Sequence, residues 1–325
     1  MTMMNGRNPR VAACVASALP FIVGVSFAAP SCDRACLSGL ADTYLTALGR
    51  HDPKAAPLAV HVRFTENTAV LDPGEGLWIG ASSDPVDFKI PVIDEAAGQI
   101  GLFAVLKENG RPVILIVRLK ATPQGRITEV EQFVQRDLRD ADAPGLVTPR
   151  PELLADVSES ERSPRNAMIE IANRYFNAIE HDDGDLAPFA DDCDRHESGV
   201  PFTNVRLRSD APTPMERIMA LGCRAQISSN VLAHINSVWP RGPMIVDQQK
   251  GLVMALPVFI HRGDKQIVPI RGVPGLIRMD TPTSPGDTHG GEILKIRAGQ
   301  IHQVEVAGVR LPHGLPTGWP EPVRD

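Results

Sequence analysis

Two tyrosines, Tyr44 and Tyr175, are all that 325 residues contain, and aromatics reach only 5%. A phenol placed on a β-strand to hold a developing oxyanion is therefore excluded. Positive charge is also short: 33 Lys and Arg stand against 39 Asp and Glu, for a formal net charge of −6. Without a clustered basic excess the chain has no footprint for nucleic acid. Metal and hydrolase signatures are missing as well, since no HExxH, paired-histidine spacing, acidic loop, GxSxG elbow or glycine-rich phosphate loop occurs. No metal and no cofactor is expected. There is no CxxC, which weakens any zinc site built from the five cysteines.

What is present reads as globular. Hydrophobic residues make up 43% and charged residues 22%, and 29 prolines with 27 glycines imply many turns. The length suits two domains, because single cores stop growing below that size. The start departs from this composition. Arg7 and Arg10 precede an apolar run from Val11 to Phe27, and Ser26-Phe27-Ala28 has the form of a small-x-Ala cleavage site. Residues 1–28 are read as a secretory signal peptide cut near Ala28, giving an exported protein, periplasmic or secreted. An uncleaved anchor is disfavoured by Pro20 and the shortness of the run, so no stable membrane insertion is expected after processing. Cleavage removes Cys14 and leaves Cys32, Cys36, Cys193 and Cys223, an even set bound for an oxidising compartment. Pairing within each half of the chain is the simplest of the three connectivities.

The chain repeats itself. Leu37, Leu40, Ala41, Tyr44, Leu45 and Leu48 form an amphipathic helical stripe; Met168, Ile171, Ala172, Tyr175, Phe176 and Ile179 form another 131 positions later. The same offset links Asp52 with Asp183, Pro57 with Pro188 and Glu66 with Glu197. Both copies also close alike, with Gly125-Arg126-Ile127 to Glu131 matching Gly299-Gln300-Ile301 to Glu305. Each copy reads as a helix followed by antiparallel strands, with hairpins at Asn109-Gly110 and Arg262-Gly263-Asp264. The predicted domains are 32–139 and 166–325, joined by a proline-rich linker over 140–165. A further helix is predicted over 214–234 in the second copy alone.

This arrangement, with Val62-Arg63-Phe64-Thr65-Glu66-Asn67, Asp192-Cys193-Asp194-Arg195-His196-Glu197-Ser198-Gly199, Gly222-Cys223-Arg224 and a late Trp319, resembles a tandem group of unassigned function. That group lies in the SnoaL-like branch of the nuclear transport factor 2-like superfamily. The resemblance implies an α+β fold of two tandem cone-shaped domains, each a curved antiparallel sheet wrapped on helices. It also implies a carboxylate or histidine inside an apolar cone acting as a base on a small organic molecule. Ketosteroid isomerases, polyketide cyclases, dehydratases, epoxide hydrolases and lignin-dimer lyases share that superfamily with non-catalytic binding modules, so fold follows more firmly than function.

Alternation along the early strand puts Val60, Val62, Phe64 and Glu66 on one face, and the repeat puts Cys193, Arg195 and Glu197 on the matching face. Glu197, Arg195 and Glu66 are the leading catalytic candidates. Desolvation beside Phe64 favours a protonated Glu66, while Arg195 favours the carboxylate of Glu197. His196 falls on the opposite face and is a secondary candidate. Trp78 and Asn204 follow the early strands where loops could cover a cone mouth, and with Tyr175 and His234 they are the ligand-contact candidates. Both glutamates have an alternative role, accepting helix-terminal hydrogen bonds at the rim.

Two functions compete. One is an exported, cofactor-independent lyase, isomerase or dehydratase, acting by general-base proton abstraction on a small organic substrate, aromatic ones included. The other is a non-catalytic protein that holds a small ligand. A homodimer formed through the sheets is a third expectation from the resemblance.

Overall fold

The computed structural model describes residues 1–3, 32–84, 86–138, 144–207 and 210–320. The segment read as a signal peptide, except its first three residues, lies outside them. The fold is α+β. In chain order it comprises α1 (Arg34–Gly49), β1 (Leu58–Glu66), β2 (Ala69–Val70), α2 (Leu77–Gly80), β3 (Lys89–Asp94), β4 (Gln99–Glu108), β5 (Arg111–Ala121) and β6 (Ile127–Gln135). Then follow α3 (Pro151–Leu154), α4 (Arg165–His181), β7 (Phe189–Glu197), β8 (Val200–Pro201), α5 (Pro214–Met219), α6 (Cys223–Ser228), β9 (Ser237–Val238), β10 (Met244–Asp247), β11 (Leu252–Ala255) and β12 (Val258–Ile260). The last elements are β13 (Ile267–Pro269), β14 (Arg278–Asp280), β15 (Asp287–Arg297) and β16 (Gln300–Leu311).

The strands form two large sheets. One has the order β2-β1-β6-β5-β4-β3, and the other runs β10-β11-β15-β16-β7-β8 with β12 and β9 attached through β15. Each sheet is mixed, which corrects the antiparallel expectation: β1 pairs parallel with β6, and β7 with β16. The reason is topological. The chain leaves β1, crosses through α2 and returns as a four-strand meander, whose last strand lands beside the first in the same direction.

The repeated residues have structural duties. His51 and Asp182 end α1 and α4 at φ 56° and 51°. Asp52 and Asp183 then cap the next short turn, accepting from Lys54 N at 3.0 Å and Asp185 N at 2.9 Å. The carbonyls of Pro57 and Pro188 start the parallel pairing, each accepting at 2.9 Å from Ile127 and Ile301. The helical stripes are buried as predicted, with Tyr44, Tyr175 and Phe176 fully enclosed.

Both early strands carry the same irregularity. Four residues of β1 lie against one of β6 between Leu58 and Arg63, and β7 shifts against β16 at the same place. Such a bulge breaks simple alternation. Val60 is consequently 94% exposed, against the inward reading, whereas Phe64 and Glu66 beyond the bulge point inward and are buried. The predicted long helix over 214–234 is two short ones. Gly222, in extended conformation, ends the first excursion and begins α6, so one apolar period spans a break.

The cysteines pair as expected, Cys32 with Cys36 and Cys193 with Cys223. The second bridge ties α6 to β7 over a separation of 30 residues. Replacing Cys193 and Cys223 together by alanine is expected to cost about 3.5 kcal/mol, the loop-closure entropy restored to the unfolded chain. Urea unfolding of this double variant against wild type reads it directly; a loss under 1 kcal/mol would show that α6 is held by its packing alone.

The outer faces of the sheets pack on each other through Phe88, Ile90, Phe103, Ile114, Ile116 and Phe133 on one side and Ile245, Leu252, Met254 and Ile293 on the other. The contact is reciprocal. Asp94 accepts from Arg165 at 2.7 Å and from Val246 N at 3.0 Å; Asp247 accepts from Arg34 at 2.7 and 3.0 Å and from Ile93 N at 3.2 Å. Arg34 and Arg165 are themselves repeat equivalents. Each copy also lends a strap to the other. Gly145 and Leu146 pack on Gly199 in the turn after β7, and Gly318 packs on Thr68 in the turn after β1. Trp319 then lies between Arg63 and Arg118, at 4.9 and 4.8 Å, and donates to Thr65 Oγ1 at 2.9 Å. This is the geometry of an isologous dimer within one chain.

Candidate functional site

The interiors of the two sheets differ in one respect that matters chemically. In the first copy the polar groups around Glu66 answer one another, although Trp78 Nε1 is buried there without a hydrogen-bond partner. Tyr44 donates to Gln132 Oε1 at 2.7 Å, and Gln132 Nε2 donates to Glu66 Oε2 at 2.9 Å. Leu77 N at the start of α2 donates to the same Glu66 oxygen at 2.7 Å, and Arg136 reaches Glu66 Oε1 at 2.8 Å. Gly76, at φ 62°, lets α2 approach this closely, since a Cβ there would collide with the carboxylate. Glu66 therefore has the helix-terminal role. Trp78, expected over a mouth, is instead 1% exposed inside this core, its ring edge-on to Tyr44 at 5.5 Å.

In the second copy the equivalent interior holds Tyr175 from α4, Arg195 and Glu197 from β7, and Glu292 from β15. The tyrosine is the repeat partner of Tyr44, but its polar neighbour has changed strands. In the first sheet Val117 of β5 pairs with Gln132 of β6; in the second, Glu292 of β15 pairs with Val306 of β16. The tyrosine hydroxyl thus meets a carboxyl from the opposite member of the strand pair, donating to Glu292 Oε1 at 3.4 Å.

Glu292 is 1% exposed. Burial pushes its carboxyl up to about 7, partly offset by the Arg195 charge and reinforced by Glu197. For Arg195 burial works against the charge, but Glu197, Tyr175 and Glu292 outweigh it and hold the guanidinium above its ordinary value. Tyr175 is raised by burial and then by Glu292, so it stays a phenol. Arg195 Nη1 lies 2.7 Å from Glu197 Oε1, though off the hydrogen-bonding direction, and its plane sits 5.5 Å from the Phe202 ring. Arg195 Nε and Glu292 Oε2 are both buried without a hydrogen-bond partner. Buried polar groups are nearly always paired, so the open Arg195 and Glu292 atoms set this cluster apart from the answered network around Glu66. Two carboxyls flank one cation, and the more buried one is held near neutrality, which is how one site supplies both an acid and a base.

Of the sequence candidates, the fold brings Arg195, Glu197 and Tyr175 together and leaves Glu66 in the first copy. His196 is buried on the opposite face beside Asp194, at 3.1 Å, under the Arg150 strap. Asn204 holds a turn at φ 53° and donates to Cys193 O at 2.8 Å. His234 is half-buried and stacks on His261 with 4.9 Å between ring centres. Glu292 was missed, yet alternation along β15 exposes it: Glu292, Leu294 and Ile296 share a face, and the latter two are core residues. Shallow depressions of about 250 and 360 Å³ lie elsewhere, one along α1 and the other beside Arg136. No group of three or more His, Cys, Asp or Glu in a metal-holding arrangement occurs among the described residues.

A family model described as a domain of unknown function (DUF8021) matches residues 161–308. All four residues of the cluster fall inside that span. No curated protein matches the chain.

Proposed function

We propose that the chain is an exported, cofactor-independent lyase, isomerase or dehydratase of the SnoaL-like kind, built from two tandem cone-shaped domains of which only the second is active. Glu197 takes a proton from carbon, Glu292 gives one to the departing or rearranging oxygen, and Arg195 between them holds the developing negative charge. Tyr175 orients Glu292. The observation that carries this reading is the buried Glu292 carboxyl, held near neutrality beside Arg195, with one oxygen unpartnered. Export is supported by the two disulfides and by the charge and apolar pattern of residues 7–28; no helix among the described residues is long and apolar enough to cross a membrane.

The test is an NMR survey of small hydroxylated and carbonyl compounds in D2O with the mature protein. Turnover is expected as deuterium uptake or loss of water. Glu197→Gln and Glu292→Gln should each slow it at least about 100-fold, the usual contribution of a positioned acid or base. Glu66→Gln, in the closed copy, should leave it unchanged. Undiminished turnover in Glu197→Gln would sink the mechanism. The unpartnered Arg195 Nε and Glu292 Oε2 also support a second reading, a holder of a small organic ligand whose polar groups answer them. Thermal stabilisation by a compound that is never transformed would favour it.

A further inference from the structure

Residues 262–284 have no counterpart in the first copy, where β4 and β5 meet in a tight turn at Asn109-Gly110. In the second copy the chain leaves the sheet after β12 and folds β13 and β14 into a two-stranded sheet of their own. A lone hairpin is marginal in water. This one is held by a small separate core in which Val268, Ile270 and Val273 meet Ile218, Val231 and Ala233. Its outer side leaves Ile267 and Ile277 56% and 81% exposed.

The root of the hairpin is His261. Its backbone N donates to Asp287 Oδ1 at 3.0 Å, and its carbonyl accepts from Gly286 N at 2.9 Å, which fixes the residue to the start of β15. Its ring lies on that of His234, with planes 31° apart. His234 belongs to the segment between α6 and β9 that forms the floor under the hairpin. The stack therefore joins floor, hairpin root and main sheet at one point.

The charges around the pair come from every side. Lys265, on the hairpin, donates to Ala233 O at 2.6 Å, and Arg310 of β16 donates to Ser284 O at 2.5 Å. Asp264 accepts from Asn236 at 2.9 Å, and His313 contacts Asp287 at 2.9 Å. Glu197 acts on His234 from the candidate site. Burial is the largest influence on both rings, and the neighbouring cations add to it: His261 is pulled down to about 4, and His234 is also lowered.

We propose that the 262–284 hairpin is an acid-released flap, latched at neutral pH by the stacked His234 and His261 rings. A protonated ring in the closed stack would be a desolvated cation beside Lys265 and Arg310, so protonation favours the open form. Because the closed-state value of His261 is depressed, closure is fully favoured above the ordinary histidine value near 6.5. It is lost as pH falls from there towards 4, by about tenfold per unit. Glu292 responds in the opposite sense, since its folded form prefers the proton, so acid does not loosen β15 through it. The latch does not depend on the Arg195 cluster being catalytic.

Hydrogen exchange read by mass spectrometry on the whole mature chain, corrected for intrinsic pH effects, tests it. Between pH 6.5 and 4.5 the peptides covering 262–284 should open about 40-fold more. Peptides from 287–311 should not change. His261→Phe keeps an aromatic stack with one titrating ring fewer and should shrink the response, and the double variant with His234→Phe should abolish it; His234→Phe alone serves if His261→Phe does not fold. A flap whose protection is unchanged at pH 4.5 overturns the proposal, as does a response in these variants equal to that of wild type.

Discussion

Replacing Asp247 by alanine is expected to destabilise the protein by about 3 kcal/mol. Its carboxylate is wholly buried and accepts from both Arg34 terminal nitrogens, from Ile93 N across the interface and from Lys250 N in its own turn. Breaking a buried pair from one side leaves the other charge stranded, at roughly 3–5 kcal/mol. The lower end applies because the Arg34 side chain keeps 25% of its surface and can rehydrate. Asp94→Ala should cost a similar amount, since Arg165 is 31% exposed in the equivalent pair. The two aspartates clasp the same interface, so the double variant should depart from additivity. Urea midpoints for the four proteins decide the matter. Single losses below 1 kcal/mol would mean that the apolar contact between the sheets holds the halves together and the exchanged ion pairs only align them.

That clasp shows what the sequence could and could not reveal. The offset of 131 was visible because helical stripes and capping aspartates are local features. Reciprocity was not, because Asp94 and Asp247 meet Arg165 and Arg34 only after each copy turns its outer face to the other. The same limit hid the strap exchange: a prolyl linker and a late Trp319 look like loose ends until Gly145 and Gly318 are seen against equivalent turns. Val60 misled because an alternating pattern assumes an unbroken ladder, and a four-against-one bulge leaves no mark in residue types. The cysteine pairing succeeded for the opposite reason, since each pair lies within one copy. Half of the cluster was legible: Arg195 and Glu197 sit on one strand, two apart, where alternation suffices. Glu292 lies 95 residues further on, and the repeat pointed away from it, since the equivalent position in the first copy is Val117.

Glu292 also sets the second large effect, which requires no substrate. Its carboxyl titrates at about 7 in the folded protein against an ordinary value of 4.5. For an acid raised in this way the fold prefers the protonated form. The stability it contributes is fully present below 4.5, declines as pH rises and is gone once pH passes 7. The difference amounts to about 3 kcal/mol between pH 4.5 and 8. Glutamine has nearly the same shape and cannot ionise, so Glu292→Gln should flatten this slope and be the more stable protein at pH 8. Other groups titrate nearby: His261 acts below 6.5 and in the opposite direction, and Lys295, pulled down by burial to about 8, acts mainly above the window. Both are common to the two proteins and cancel in the difference. Urea unfolding of wild type and variant at half-unit steps from pH 5 to 8 therefore isolates one carboxyl. A constant difference across that range would place Glu292 outside the neutral region and remove the acid from the proposed acid and base pair. A difference that grows with pH, by about 1.4 kcal/mol per unit at its steepest, would fix Glu292 as the group poised to give up its proton near neutrality.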